Sequence, residues 1–135
     1  MSTGTAKKAF ASNANVRNRV AFETTNNILK SWGASVAQIT NILQMSKSAY
    51  HKAVAEPESV KLCRDQITRV SLILNIYAAI KTIFDNPENQ TGFMSFKNDN
   101  GKFGGRSPLE VIASGDILEL IETTKHIDGL RGAMW

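Results

Sequence analysis

The stretch SVAQITNILQMSKSAYHKAVA, residues 35–55, decides the fold class of this chain. Ser35 followed three residues later by Gln38 is the pattern of a capping box, which predicts that a helix begins there. Apolar residues then recur at helical spacing until Gln44-Met45-Ser46 interrupts them. The serine of that interruption can cap a second helix, which we expect to end before Pro57. The stretch therefore predicts two short helices joined by a three-residue turn.

This layout is that of a helix-turn-helix, whose second helix lies in the major groove of DNA. Apolar residues fall where the motif needs buried contacts, at Ile39, Leu43, Met45, Tyr50 and Ala53. The outward positions of the second helix are polar or basic, and we predict that they bind DNA: Ser46, Lys47, Ser48, His51 and Lys52. Gln44 stands in the turn where many such motifs have glycine. An ordinary helical hairpin is the alternative.

The charge of the chain is unevenly distributed. Residues 1–65 contain nine Lys/Arg and four Asp/Glu, whereas residues 66–135 contain seven and eight, within a net charge of +4. This asymmetry is expected if only the N-terminal half faces a polyanion such as DNA. A basic face that is merely solvated would give the same distribution, so charge alone leaves both interpretations open.

Composition argues against several classes of function. The single cysteine, Cys63, excludes an intramolecular disulfide and a multi-thiolate zinc site, and we expect it to be a small buried residue. The two histidines, His51 and His126, are far apart, and no nucleophile–base spacing is present. We therefore predict no enzyme activity, no cofactor and no metal. Because no long apolar run and no signal-peptide core are present, we expect a cytoplasmic protein.

The rest of the chain also has the pattern of an all-α protein. No segment alternates like a strand, and one long apolar pattern is wide enough for a helix at the centre of a core. Residues 1–15 lack periodicity, which predicts a flexible tail. The other predicted elements are a helix over 16–32, the long helix over about 65–84, a helical turn near 88–95, a helix capped by Ser107, and a last helix that starts at Asp116 and is broken at Gly129 and Gly132.

One run of residues in the C-terminal half resembles a motif of a known family. The run FGGRSPLE at residues 103–110, followed by Gly115 and by Ile127-Asp128-Gly129, resembles the toxin-binding domain of the Xre/MbcA/ParS antitoxins. The resemblance extends upstream through Arg69, Ile76 and Phe84. Together with the helix-turn-helix, it covers about residues 30–135.

The resemblance implies a function and a set of contacts. Antitoxins of this family belong to bacterial type II toxin–antitoxin modules, and their partners are typically RES-fold toxins that act on NAD. The antitoxin occludes the toxin's active-site cleft, forms a homodimer and represses its own operon by binding operator DNA. The toxin-binding residues that it implies here are Phe103, Gly104, Gly105, Arg106, Arg131 and Trp135. Residues 16–62 would then be the DNA-binding region and residues 63–135 the dimerisation and toxin-binding domain.

Two alternatives stay open at this point. The chain could be a helix-turn-helix transcriptional regulator whose C-terminal helices serve only dimerisation. The motif itself also has a purely structural interpretation, because Gly104-Gly105 permits a tight turn and Ser107, Pro108 and Glu110 form a helix cap.

Overall fold

The computed structural model describes the backbone of residues 2–132 and the side chains of residues 13–132. Within that part of the chain it has α-helices, one 3₁₀ turn and no strand, which confirms the predicted all-α class. The helices are α1 (Ser2–Ser31), α2 (Val36–Leu43), α3 (Lys47–Ala55), α4 (Arg64–Ile83), α5 (Pro87–Ser95), α6 (Pro108–Ile112) and α7 (Ile117–Gly132), with the 3₁₀ turn at Pro57–Ser59.

The first helix is longer than its sequence pattern predicts. A flexible tail was expected over residues 1–15, but the backbone is helical from Ser2 onward. No proline interrupts this segment, and alanine, the strongest helix former, recurs along it. The sequence pattern missed this part of the helix because it relied on apolar periodicity, which a segment poor in large apolar residues does not display. The predicted stop is present, since Gly33, two residues after the end of the helix, takes a φ of +88°.

The long helix α4 lies at the centre of the fold. It packs against α1, α2, α5 and, most extensively, α7. Its buried side is apolar except at one position, Arg69, and comprises Val70, Ile73, Ile76, Ala79 and Ile80. A single hydrophobic cluster takes members from the first helix to the last. The predicted central helix is therefore confirmed, and residues 16–62 and 63–132 share one core.

The predicted serine caps are present. The side-chain oxygens of Ser35, Ser46 and Ser107 each accept a hydrogen bond from the main-chain N–H three residues further on. At Ser35 and Ser107 the reciprocal bond is also made, so both capping boxes are complete. Each cap satisfies a donor that the first turn of a helix leaves unpaired, and this fixes where α2, α3 and α6 begin.

The last helix differs from its prediction at both ends. Asp116 accepts a hydrogen bond from a main-chain N–H of the first turn, but the carboxylate of Glu119 faces Lys102 at 3.5 Å instead of completing a capping box. The helix then continues through Gly129 to Gly132, where a break was predicted. A glycine costs a helix only about 1 kcal/mol, and the packing of α7 on α4 offsets that cost.

Cys63 lies at the surface, one residue before α4. The expectation that it is buried was wrong, because it rested on the general preference of free cysteine for the interior. Its main-chain N–H donates to Oε1 of Gln66 over 3.0 Å, so this position belongs to the exposed start of the helix.

Candidate functional site

The inner face of α3 is fixed to the first helix. Tyr50 and Ala53 are buried, and the Tyr50 hydroxyl donates to Oδ1 of Asn26 over 2.7 Å. The Tyr50 ring also packs edge-on against Phe22, with ring centroids 5.9 Å apart. Because this buried hydroxyl is hydrogen-bonded, it fixes both the position of α3 and the rotation of α3 about its own axis. The opposite face of α3 is therefore held in a defined orientation toward solvent.

That outer face contains the residues predicted to bind DNA. All five are exposed: Ser46, Lys47, Ser48, His51 and Lys52. With 3.6 residues per turn, the four that lie within the helix fall inside an arc of about 140°. The His51 ring packs edge-on against the Tyr50 ring, with centroids 5.7 Å apart. This contact holds the exposed imidazole in place. The structure thus brings the predicted set together on one surface.

The turn before α3 is unusual in sequence and well supported in structure. Gln44 has a φ of +53°, the left-handed conformation that glycine adopts most easily. Its own side chain donates to the carbonyl oxygen of Asn41 over 2.7 Å, and Gln66 in α4 donates to the Gln44 carbonyl over 3.1 Å. The glutamine therefore occupies the position where such motifs often have glycine, and hydrogen bonds hold the strained backbone in place.

A buried arginine connects this turn region to the C-terminal half. Arg69 is 6% exposed, and its Nη1 donates to the carbonyl oxygens of Ile42 at 3.2 Å and Gly115 at 2.8 Å. Its Nε pairs with Asp65 at 2.8 Å. The sequence signal for this role was a charged residue on the apolar side of α4. Its partners could not be predicted, since they come from separate parts of the chain.

The first predicted toxin contact, Phe103, is a core residue. Its side chain is fully buried and packs edge-on against His126, with centroids 5.3 Å apart and the rings at 88°. A buried ring has no surface to offer a partner, so the interpretation of Phe103 as an exposed contact is corrected. The loop before α6 folds inward here because the aromatic ring gains more from burial than a polar loop residue would.

The other residues of the run mostly serve the turn. Gly104 and Gly105 have φ values of +60° and +85°, and open space surrounds the position that a Cβ would take at each. Glycine is favoured at both positions because of the backbone conformation, since no neighbouring atom would clash with a side chain there. Arg106 closes the turn by donating from Nε to the Phe103 carbonyl over 3.0 Å. Gly104 and Arg106 are exposed, whereas Ser107 and Pro108 are buried.

Of the two C-terminal candidates, Arg131 and Trp135, the structure describes only Arg131. Arg131 lies in the last turn of α7, pairs with Asp128 at 2.5 Å and has a side chain that is 43% exposed. It lines a groove of about 250 Å³ between α4 and α7, which Arg106 does not line. Trp135 lies outside the residues that the structure describes. Among the described residues, Arg131 therefore shares neither a hydrogen bond nor this groove with the turn at residues 103–106.

The loop that leads to α6 is tied to α7 by ion pairs. Nζ of Lys102 lies 2.9 Å from Glu122 and 3.5 Å from Glu119. The hydrogen bond that Lys102 donates to the Glu122 carboxylate raises the pKa of Lys102 above its ordinary value of 10.5. These contacts hold the loop against α7 and so fix the surface on which Gly104 and Arg106 are exposed.

In the described part of the chain, no group of three His, Cys, Asp or Glu side chains is arranged to hold a metal ion. None of the helices between residues 2 and 132 has the length and apolar character needed to cross a bilayer. Comparisons with protein-family models, with curated proteins and with solved structures gave no match.

Proposed function

We propose that this chain is the antitoxin of a bacterial type II toxin–antitoxin module, that it acts in the cytoplasm, and that it has no enzyme activity of its own. In this proposal it neutralises a RES-like, NAD-degrading toxin by occluding the toxin's active-site cleft, and it represses its own operon as a homodimer. The observation that supports the proposal best is the pair of opposite faces on α3, one anchored in the core and one polar and basic.

The DNA-binding part rests on the exposed face of α3. Lys47 and Lys52 supply charge for phosphates or for the O6 and N7 atoms of guanine, while Ser48 and His51 supply hydrogen-bonding groups for base edges. Ser46 caps α3 through its oxygen and keeps its hydroxyl proton free to donate to a phosphate. The basic N-terminal half of the chain supplies a long-range attraction to the same polyanion.

The toxin-binding part rests on the resemblance and on two exposed arginines. Arg106 is exposed on a turn that its own Nε closes by donating to the Phe103 carbonyl. Arg131 lies in the last turn of α7, where it pairs with Asp128. Arginine is a common anchor in protein interfaces because its planar group can pair with carboxylates and still pack. An arginine that enters the toxin's cleft would pair with acidic groups there and block substrate access.

The homodimer would use apolar surface that the single chain leaves uncovered. A groove of about 600 Å³ lies between α1 and α4, and its lining includes Ala21, Leu62 and Leu74. Ile67, at the same groove, is 48% exposed. Exposed apolar surface of this kind is typical of a protein–protein contact, and a two-fold dimer would present two α3 helices to a palindromic operator.

Co-expression tests the toxin-binding part. Each gene that flanks the gene of this chain is induced in a bacterial host, with and without this protein. We expect one of the two to arrest growth and this protein to restore it. Arg106→Ala and a chain that ends after Gly132 should rescue less well, whereas Lys97→Ala, an exposed control, should rescue fully. Growth arrest that this protein does not relieve, or no arrest by either gene, would contradict the proposal.

The second candidate function is a transcriptional regulator whose C-terminal helices only dimerise. One observation favours it: nearly every residue of the run 103–110 has a structural role in a turn or a cap. The two candidates differ in one measurable property. Both bind the DNA upstream of their own gene, but only an antitoxin forms a complex with the product of a flanking gene.

A further inference from the structure

We propose that the groove between α3 and the connection that follows it is a binding site for DNA backbone phosphate, with Lys61 as a positioning residue opposite Lys52. This inference rests on the proposed DNA-binding function and names a contact that the sequence pattern did not indicate. The groove has a volume of about 210 Å³. Its lining is Met45, Ala49, Lys52, Ala53, Ser59, Val60 and Lys61.

The charge of this groove is of one sign. Two lysines line it and no carboxylate does, although Glu56 and Glu58 belong to the same connection. Both lysines are exposed, and neither forms an ion pair with another residue in the described part of the chain. Two cations that share one groove repel each other, and a phosphate between them would relieve that repulsion.

The position of the groove relative to α3 suits the DNA backbone. A helix in the major groove has a phosphate strand on each side, so residues beside the helix meet phosphates while its outer face meets bases. Lys52 lies at the edge of the outer face of α3, and Lys61, from the connection after α3, lines the same groove. The two lysines are therefore placed to hold one strand and to set how deeply α3 enters.

The backbone of the connection is fixed, which makes this placement specific. The N–H groups of Ser59 and Val60 donate to the carbonyls of Glu56 and Pro57 at 2.9 and 3.2 Å, and Val60 is buried. The Ser59 hydroxyl donates to the Glu56 carbonyl at 2.7 Å, so it is already used as a donor. The main-chain N–H of Lys61 donates no hydrogen bond within the described residues.

Fluorescence anisotropy with two labelled duplexes tests the proposal. One duplex is the DNA directly upstream of the gene of this chain, and the other is a scrambled version of equal length. Each is titrated with wild type, Lys61→Ala, Lys52→Ala, the double variant, Lys47→Ala and the control Lys30→Ala over a range of salt concentrations. Lys30 is exposed on α1 and does not line the groove.

We expect Lys61→Ala to weaken binding equally on both duplexes and to lower the salt slope by about 0.9, the value for one phosphate contact. The double variant should lose about twice that slope. If Lys61→Ala matches Lys30→Ala while Lys47→Ala still weakens binding, the phosphate groove is refuted and the DNA-binding function stands. If the wild type binds neither duplex, the DNA-binding function itself is refuted, and this inference with it.

Discussion

The guanidinium of Arg69 in α4 donates a 2.8 Å hydrogen bond to the carbonyl oxygen of Gly115, in the turn between α6 and α7. The same nitrogen donates to the Ile42 carbonyl in the last turn of α2. One side chain thus satisfies acceptors from two separate parts of the fold. The turn that positions α3 and the start of α7 are held by the same residue.

Replacement of this arginine should therefore destabilise the whole fold. We expect Arg69→Ala to lower the free energy of unfolding by about 2–3 kcal/mol, because two carbonyls lose a charged donor. Arg64→Ala is the matched control, since Arg64 is exposed at the start of the same helix and should cost less than about 0.5 kcal/mol. Urea denaturation measures both. Equal losses in the two variants would contradict the role given to Arg69.

Two glycines of the C-terminal half should respond to alanine with opposite signs. Gly115 has a φ of +82°, and a Cβ there would lie 3.0 Å from the Asn41 carbonyl oxygen and 2.7 Å from Nε2 of Gln44. Gly115→Ala should therefore cost about 1–3 kcal/mol. Gly129 is helical and faces open space, so Gly129→Ala should add up to about 1 kcal/mol. Thermal denaturation of both variants checks the signs, and stabilisation by Gly115→Ala would refute the close contact.

Two buried threonines offer a route to a more stable protein. The hydroxyls of Thr25 and Thr123 are buried and have no hydrogen-bond partner within the described residues. Valine keeps nearly the same shape and removes the unsatisfied group, so Thr25→Val should raise the free energy of unfolding by about 1 kcal/mol. Thr24→Val is the exposed control and should change it by less than about 0.5 kcal/mol. Destabilisation by Thr25→Val alone would indicate that its hydroxyl does have a partner.

The ion pairs of Lys102 should make the free energy of unfolding fall at alkaline pH. The bond to Glu122 raises the pKa of Lys102 above 10.5 in the folded state, so the contribution is complete below pH 10.5 and is lost as pH rises through the raised pKa. Lys102→Met should therefore cost up to about 1 kcal/mol near neutral pH and nothing once the lysine is deprotonated. Chemical denaturation from neutral pH to above pH 10.5 measures the difference in unfolding free energy between wild type and Lys102→Met, with Lys97→Met as the exposed control. A difference that does not change with pH would rule out the ion pair as its source.

Local features of the fold could be predicted from the sequence, whereas burial of individual loop residues could not. The caps at Ser46 and Ser107 depend on neighbours three residues away, so sequence spacing determines them. Phe103 was misjudged because its burial depends on His126 in another helix. The outer face of α3 could be predicted, since helical spacing sets it. The role of Lys61 could not be predicted, because its groove forms only when the connection after Ala55 packs along α3.

Direct titration tests our proposal that this chain binds and neutralises the protein product of a neighbouring gene. The toxic flanking product, made as an inactive point variant so that it can be purified, is titrated with this protein in a calorimeter. We expect a saturable complex with a dissociation constant in the nanomolar range, typical of specific interfaces of standard size. We also expect weaker binding by Arg106→Ala than by Lys97→Ala. No heat of binding with either flanking product, from a folded and dimeric sample of this protein, would contradict the claim.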